Sequence, residues 1–242
     1  MMRSAIKVAT IGWTFIFLFF INNHLTAQMA HVYEFKSISN GLLSINGKGD
    51  NAIWNQANTL TSFIYPWNEG NPPPMTFQGL HDKDWIYGLY RVHDPKKILI
   101  YTDKNKKSDV LASDRVEIFF RKDDKMETYY GLELDPKGRI YDYRAHYHRQ
   151  FNPDWTWPKG QLIVKAELNP EGYTLEFAVS KKSLKKLGMI KGDVIEGGLY
   201  RGECVQLNGD KAEFKWISWV KPDSKTPNFH IPSSFGILKL MK

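Results

Sequence analysis

The sequence predicts an all-β protein, an antiparallel β-sandwich of jelly-roll type with one short helix. Short apolar runs recur with turn residues between them, several runs alternate apolar and polar residues, and a single segment has a helical pattern. The predicted strands are Met75–Leu80, Asp84–Val92, Arg115–Phe120, Thr128–Leu134, Arg139–Tyr147, Leu162–Leu168, Tyr173–Val179, Val194–Arg201, Phe214–Val220 and Phe235–Leu240.

Two of these strands show the two-residue period of a sheet with two different faces. In Arg115–Phe120, Glu117 points away from the face that carries the Val and Ile side chains. In Arg139–Tyr147, tyrosines alternate with charged residues such as Arg144, so one face of this strand is charged and is a candidate for function.

The helical segment is predicted to connect two strands. Ser180 precedes it and is a suitable N-cap, because its hydroxyl can accept a hydrogen bond from a free backbone N–H of the first turn. Gly188 follows Leu187 and is a typical helix stop.

The N-terminus has the layout of a secretory signal peptide. Arg3 and Lys7 precede an apolar run from Val8 to Ile21, which is shorter than the ~20 residues that a membrane-spanning helix needs. We therefore expect a signal over residues 1–28, a single domain over 29–242, and a secreted or periplasmic protein without membrane insertion. The only cysteine, Cys204, is far from the cleavage region, so no lipid-bearing cysteine is expected there.

The composition excludes some classes of partner. The chain has 33 Lys and Arg against 26 Asp and Glu, a net charge of +7, but the basic residues form short clusters and no long stripe. Nucleic acid is therefore a poor partner for this exported chain, whereas either a neutral or an acidic glycan is compatible with the charge.

An ordered set of motifs along the chain resembles the family 9 carbohydrate-binding modules. Each motif alone is weak, but together they cover nearly the whole chain after the signal. The matching residues are Asn46–Asp50 with Trp54 and Ala57; Trp85–Tyr90 with Val92 and Asp94; Ser113–Phe119; Tyr129–Tyr130 and Asp135–Gly138; Tyr173–Ala178 with Leu184; Arg201; Trp216 and Trp219; and Pro232–Gly236.

The resemblance implies an antiparallel sandwich that binds sugar, often with a structural calcium, and holds a chain end between two aromatic rings. The ring positions of that clamp correspond here to Leu111 and Phe229, so one ring is lost. The motif glutamate is retained as Glu117, and the polar contacts of the next strand correspond to Glu133 and Asp135. With its inserted loops, the chain looks most like the longer stand-alone members exported by Bacteroidetes.

Candidate ligand-binding residues are aromatic, because flat rings stack on sugar C–H surfaces, or are charged or amide side chains that bind hydroxyls. The richest segment runs from Tyr143 to Trp157, although its tryptophans could equally pin a long loop onto the sandwich. Glu117 and Arg201 could instead form a structural ion pair, and Trp54, Trp85, Trp216 and Trp219 are interpreted as core. The candidates are Trp67, Glu117, Glu133, Arg144, His146, His148, Trp155, Trp157, Arg201, Phe229 and His230.

No metal site can be assigned from the sequence. The carboxylates available to calcium form no compact loop motif, and His146 and His148 share a strand face without a third zinc ligand. The four carboxylates are Asp50, Asp94, Asp109 and Asp114.

Three other functions stay open beside carbohydrate binding. A polyuronate lyase could use Tyr143, Arg144, His146 and His148 as base, acid and cation. A glycosidase could use Glu117 and Glu133 on neighbouring strands. Sandwiches of the related cytochrome type hold haem between His and Met, but Met75 has no clear histidine partner.

Overall fold

The computed structural model describes residues 31–41, 43–95, 98–103 and 106–242, so the expected signal peptide lies outside the described part of the chain. One α-helix is present, α1 (Lys181–Lys186), with 3₁₀ helices at Ala52–Gln56, Lys107–Ala112 and Pro232–Ser234. Within the described ranges, no helix is long and apolar enough to cross a bilayer. The strands are β1 (Val32–Ser37), β2 (Thr59–Leu60), β3 (Met75–His81), β4 (Trp85–His93), β5 (Arg115–Arg121), β6 (Tyr129–Leu134), β7 (Ile140–His146), β8 (Gln150–Asn152), β9 (Leu162–Asn169), β10 (Gly172–Ser180), β11 (Ile190–Lys191), β12 (Val194–Asn208), β13 (Lys211–Ser218) and β14 (Gly236–Leu240).

These strands form the two layers of a sandwich, which confirms the predicted all-β class. The first layer has the order β8-β7-β6-β5-β12-β14-β1, and the second has the order β1-β3-β4-β10-β9. Strand β1 belongs to both layers: its first residues pair with β14 and its last with β3. Both of these pairings are parallel, whereas the other ladders are antiparallel. The predicted antiparallel sandwich is thus present, with the two pairings of β1 as its parallel exceptions.

Each predicted strand is present, and most bounds agree within two residues. The largest difference is β12, which extends to Asn208 because its second half forms a long hairpin with β13. Strands β1, β2, β8 and β11 were not predicted. The helix α1 agrees with its prediction, since the Ser180 hydroxyl accepts a hydrogen bond from the Lys182 N–H at 3.2 Å and Leu184 is fully buried.

The main core lies between the two layers. It contains the inward side chains of β5 and β6, such as Ile118 and Leu132, packed against Phe77 and Phe177 of the second layer. Fully buried apolar side chains of this kind each stabilise the fold by ~1.5–3 kcal/mol. This core fixes which residues of β5, β6 and β12 must point outward.

A second apolar cluster covers the outward face of the first layer. Phe119, Tyr143 and Tyr200 lie on this face and pack against Phe229, which belongs to the long loop before β14. Glycine makes room for the rings, because a Cβ at Gly131 would lie 2.2 Å from the Tyr143 ring. The first layer is therefore covered on both faces, and its outward face can hold a partly buried site.

Candidate functional site

A pocket of ≈ 170 Å³ opens on the outward face of the first layer; we call it the outer-face pocket. It lies between β5, the end of β13, the loop before β14 and the segment that carries Trp67. This volume is below the ~300–1,000 Å³ of pockets for drug-sized ligands, so it suits one ring-sized group. Its walls are formed by Trp67, Arg115, Glu117, Arg149, Trp216, Pro227, Asn228, Phe229 and His230.

The aromatic side of the pocket is built around Phe229. Its ring stacks on Tyr200, with 4.2 Å between centroids and 15° between planes, so one face of Phe229 is covered. Trp67 and Trp216 flank it at 5.3 and 5.7 Å. The Trp67 indole N–H donates to the Ser224 carbonyl at 2.8 Å, which fixes the ring. Because Trp67 and Trp216 are only half-buried, both present ring surface to the pocket.

The polar side of the pocket is built on β5. The Arg115 Nε donates to Glu133 Oε2 at 2.6 Å and lies 3.1 Å from Glu117 Oε1. Its hydrogen points to Glu133, which leaves the buried Glu117 Oε1 without a hydrogen-bond partner among the described residues. The Arg115 guanidinium also lies under the Trp216 ring at 5.3 Å. An unsatisfied buried oxygen costs ~1–3 kcal/mol, and a ligand that satisfies it recovers part of that energy.

Burial raises the pKa of Glu117 to about 8, and the neighbouring Glu133 carboxylate adds to the rise, while Arg115 opposes it. This rise favours the protonated form of Glu117, which can both donate and accept a hydrogen bond. Sugar hydroxyls have the same dual character, so they match a protonated carboxyl well.

The imidazole of His230 closes the pocket on the side of β6. It stacks on Phe119 at 5.2 Å and its Nδ1 lies 3.1 Å from the Tyr129 hydroxyl. Burial is the main cause that lowers the pKa of His230 to about 3, and the nearby Arg149, His148 and Arg115 contribute to this shift. His230 is thus neutral at physiological pH and presents an uncharged ring.

Four of the predicted ligand-binding residues meet in this pocket: Trp67, Glu117, Phe229 and His230. Two more lie beside it. Glu133 holds Arg115 from β6, and His148 lies at the rim, where its Nε2 is 3.2 Å from the Asn228 amide nitrogen.

Three predicted residues lie on the other side of the first layer. Trp157 is buried in the core between the layers, and Trp155 packs against Tyr130 with 4.7 Å between ring centroids. Arg144 pairs with Tyr130 across the ladder and therefore points to this inner side. The two tryptophans pin their loop onto the sandwich, and the structure does not bring them together with Trp67.

The charged face of β7, which the sequence indicated as a candidate for function, points to the inner side of the first layer. Asp142 points inward, where its Oδ2 accepts hydrogen bonds from the Thr156 hydroxyl at 2.8 Å and the Trp157 N–H at 2.5 Å. These contacts anchor the loop. The face that borders the pocket region is instead the tyrosine face, with Tyr143 in the outer cluster.

The two remaining predicted site residues are also away from the pocket. The strand β7 ends at His146, whose Nδ1 contacts the Glu127 carbonyl. Arg201 is fully buried, with Nη2 2.9 Å from Asp94 and 2.8 Å from Asp114. An ion pair between Glu117 and Arg201, the alternative considered for these two residues, is not formed, because Arg201 points between the layers while Glu117 points outward.

Sequence reasoning missed five pocket residues: Arg115, Arg149, Trp216, Pro227 and Asn228. The interpretation of Trp216 as core is wrong, since it is half-buried at the pocket, whereas Trp54 and Trp219 are buried as expected. The alternation of β5 did carry a signal, because it places Arg115 on the same face as Glu117.

The two clamp positions of the family pattern are separated in this chain. Phe229 lines the outer-face pocket, but Leu111 lines a different cavity of ≈ 440 Å³ with Tyr101 and Phe214. A two-ring clamp at the family positions is therefore not formed, and Trp67 and Trp216 provide the ring surface instead.

The carboxylates considered for calcium do not converge. Asp94 and Asp114 both bind Arg201, Asp109 lies 3.5 Å from the Arg139 Nη1, and Asp50 accepts a hydrogen bond from Asn46. In the part of the chain that the structure describes, no group of three or more His, Cys, Asp or Glu side chains is placed to hold a metal ion.

Comparison with known families identifies the chain. A family described as "Carbohydrate family 9 binding domain-like" matches residues 45–242. The chain belongs to this family. The match lies inside the domain expected over residues 29–242 and leaves out β1, which joins the two layers of this family 9 domain. Among curated proteins, none matches the chain.

Solved structures of the same kind share the fold. A provisionally assigned carbohydrate-binding protein from Bacteroides uniformis aligns over 88% of this chain and 100% of its own, with a TM-score of 0.67 and 17% identity. A family 9 carbohydrate-binding module from Caldicellulosiruptor kristjanssonii in complex with glucose covers 85% of this chain and 95% of its own (TM-score 0.53, 19% identity). The same organism's module with cellotriose covers 86% and 93% (TM-score 0.52, 20% identity).

Proposed function

We propose that this family 9 domain binds a poly- or oligosaccharide and holds one sugar ring in the outer-face pocket. The observation that carries the proposal is the pocket itself: half-buried Trp67 and Trp216 line the same space of ≈ 170 Å³ as a buried Glu117 oxygen that has no hydrogen-bond partner among the described residues. Aromatic surface combined with a few converging polar groups is the usual make-up of a small-ligand site. The glucose and cellotriose complexes of the Caldicellulosiruptor modules, which share the fold, support the ligand class.

The two sides of the pocket have different roles in the proposed sugar binding. Trp67 and Trp216 stack on the C–H faces of the ring, while Glu117 and the Asn228 amide bind its hydroxyls. Arg115 holds Glu117 and Glu133 in place from below, since its guanidinium is buried and its Nε bond goes to Glu133. The ligand replaces water in a pocket whose protein groups are already ordered, which lowers the entropic cost of binding.

The geometry supports binding better than glycoside hydrolysis. A glycosidase needs its two carboxylates on either side of the scissile bond, about 5–10 Å apart with the sugar between them. Here Glu117 and Glu133 approach the same Arg115 Nε, at 3.1 and 2.6 Å, and both are buried. The guanidinium occupies the space where a glycosidic bond would have to lie.

The lyase alternative is also weaker than binding. Tyr143 lies in the outer cluster, whereas Arg144 points to the inner side of β7 and His146 contacts the Glu127 carbonyl. A base, an acid and a cation must all reach the same sugar ring, and these side chains are on different sides of the layer.

The domain is proposed to act outside the cytoplasm, in the periplasm or after secretion. The support is the N-terminal layout of Arg3 and Lys7 before the apolar run from Val8 to Ile21. We expect the mature protein to start near Gln28 or Met29. Mass spectrometry of the N-terminal peptide from the native host checks this, and an intact Met1 in the exported fraction would contradict it.

Loss of a pocket tryptophan is expected to weaken binding at least tenfold. Removal of a central aromatic contact costs ~1.4 kcal/mol or more, which corresponds to a tenfold change in the dissociation constant. Trp67→Ala and Trp216→Ala are compared with the unchanged chain by isothermal titration calorimetry against neutral and acidic polysaccharides and oligosaccharides. The Trp67 change also frees the Ser224 carbonyl, so thermal unfolding must confirm that the variant is folded.

Trp155→Ala is the matched control, because Trp155 is also half-buried but packs on the inner side of the layer. We expect it to lower the stability and to leave the dissociation constant unchanged. If no saccharide in the panel binds saturably to the unchanged chain, carbohydrate binding is rejected. If Trp155→Ala abolishes binding while Trp67→Ala does not, the site lies on the other face.

A further inference from the structure

The two arginines that line the outer-face pocket differ in how far protein groups neutralise their positive charges. Arg115 is buried and is committed to Glu133, to Glu117 and, through Nη1, to the Leu111 carbonyl at 3.2 Å. Its positive charge is therefore balanced by protein groups. The other cation at the pocket, Arg149, has a different environment.

Arg149 lies in the turn between β7 and β8 and lines the pocket. Its only hydrogen bond among the described residues is a long one, from Nη1 to the Asn228 Oδ1 at 3.4 Å, and its guanidinium lies 5.8 Å from the Phe151 ring centroid. No ion pair between described residues includes Arg149. Most of its five N–H donors are thus free to bind a ligand.

The backbone of Arg149 is also unusual. Its φ is +58°, in the left-handed region that non-glycine residues seldom adopt. Such conformations are strained for non-glycine residues and are concentrated at functional sites. It brings the guanidinium to the Asn228 side of the pocket, where the same amide oxygen accepts the His230 N–H at 3.0 Å.

The rest of the pocket does not oppose a negative ligand. Glu117 is the one carboxyl among the lining residues, and burial raises its pKa, which favours the uncharged form. Besides burial, the nearby Arg149 and Arg115 guanidinium groups lower the pKa of His230, so cationic side chains lie close to its ring. Among the described residues, the buried Glu117 oxygen has no hydrogen-bond partner and the Arg149 guanidinium has no ion pair, and together they fit a planar acid group with a neighbouring hydroxyl.

We propose that the sugar held in the outer-face pocket is acidic, and that Arg149 binds its carboxylate. This rests on the proposed carbohydrate binding and narrows it to uronic acid units. A guanidinium pairs with a planar carboxylate through two parallel hydrogen bonds, which gives orientation as well as affinity. The carboxylate lies toward the turn between β7 and β8, and the ring lies over Trp67 and Trp216.

The test compares each uronic acid oligosaccharide with its own methyl ester, which keeps the sugar skeleton and removes the charge. The panel contains galacturonate, glucuronate and mannuronate–guluronate oligomers. Calorimetry at pH 7 and low ionic strength is expected to give at least one acid that binds about tenfold more tightly than its ester. The preference should shrink at 0.5 M NaCl, because Arg149 is exposed and its pairing is screened.

Arg149→Gln should abolish the preference, so that acid and ester bind with similar affinity. Lys165→Gln removes the same charge from β9 in the second layer, and we expect it to keep the preference. If esters bind as well as the acids to the unchanged chain, the acidic-ligand inference is overturned while carbohydrate binding stands. If Arg149→Gln keeps the full preference, Arg149 is not the carboxylate partner. If neither acid nor ester nor any neutral sugar binds, the proposed function fails as well.

Discussion

Replacement of Arg201 by Met is expected to lower the free energy of unfolding by about 3–5 kcal/mol, the usual cost of removing one partner of a buried ion pair. Arg201 is fully buried and binds Asp94 and Asp114, which lie 107 and 87 residues before it in the chain. Without the guanidinium, both carboxylates remain buried between the layers with no cation. Urea unfolding at pH 7, followed by tryptophan fluorescence, measures the loss.

The carboxylates should make the Arg201→Met variant sensitive to pH. A buried carboxylate without a cation binds a proton more tightly in the folded state, so the variant should regain part of its stability as the pH falls. Arg201→Met combined with Asp94→Asn and Asp114→Asn removes both uncompensated charges and should be more stable than the single variant at pH 7. A loss below about 1 kcal/mol for the single variant would mean that water reaches these carboxylates and the pair is of the weak, exposed kind.

This buried network also marks a limit of sequence reasoning. Alternation along β12 predicts that Arg201 and Tyr200 point to opposite faces, and they do. The alternation does not show which face of β12 lies in the interior, because that depends on which elements pack against each face of the sheet. The ion-pair partners of Arg201, Asp94 and Asp114, lie in other parts of the chain. From the alternation of β12 alone, Glu117 was therefore as good a candidate partner for Arg201 as either aspartate.

The dependence on packing also explains which residues of the outer-face pocket could be predicted from the sequence. The rings and polar groups of the loops, Trp67, Phe229 and His230, stood out by composition. Trp216 did not, because a tryptophan in a strand is more often core, and only the cover provided by the loop before β14 turns it into a pocket wall. Strand β1 carried a readable alternation, with Tyr33 and Phe35 buried between exposed neighbours, yet its parallel pairing with two layers has no local signature.

Glu117→Gln is expected to become progressively more stable than the unchanged chain as the pH rises from 4.5 to about 8. The folded pKa of Glu117 is raised from 4.5 to about 8. The folded state therefore holds the proton more tightly than the unfolded state, so the stability of the unchanged chain falls as the pH rises from 4.5 to about 8 and is level above that. Because glutamine cannot ionise, the variant does not lose this part of its free energy of unfolding as the pH rises. Between pH 6 and pH 9 the difference between the two proteins should grow by ~2–3 kcal/mol.

The measurement is urea unfolding of both proteins at several pH values, with Glu213→Gln as the control. Glu213 is an exposed glutamate on β13, so its replacement should give a curve parallel to that of the unchanged chain. Subtracting the curves removes the tyrosine and lysine titrations that all three proteins share. A difference that rises toward pH 8 for Glu117→Gln alone supports a protonated Glu117.

The result decides between two opposing influences on this carboxyl. Arg115 lies 3.1 Å from Glu117 Oε1 and favours the charged form, whereas burial and Glu133 on β6 favour the neutral form. The other groups near Glu117 are the buried Tyr143, Tyr200 and Tyr90, which are uncharged at neutral pH and cannot replace the missing cation. Arg115 already gives its short hydrogen bond to Glu133, so we expect burial to win. A flat difference between the two proteins would instead mean that one guanidinium keeps both glutamates ionised, and the pocket would then repel the acidic sugar proposed for it.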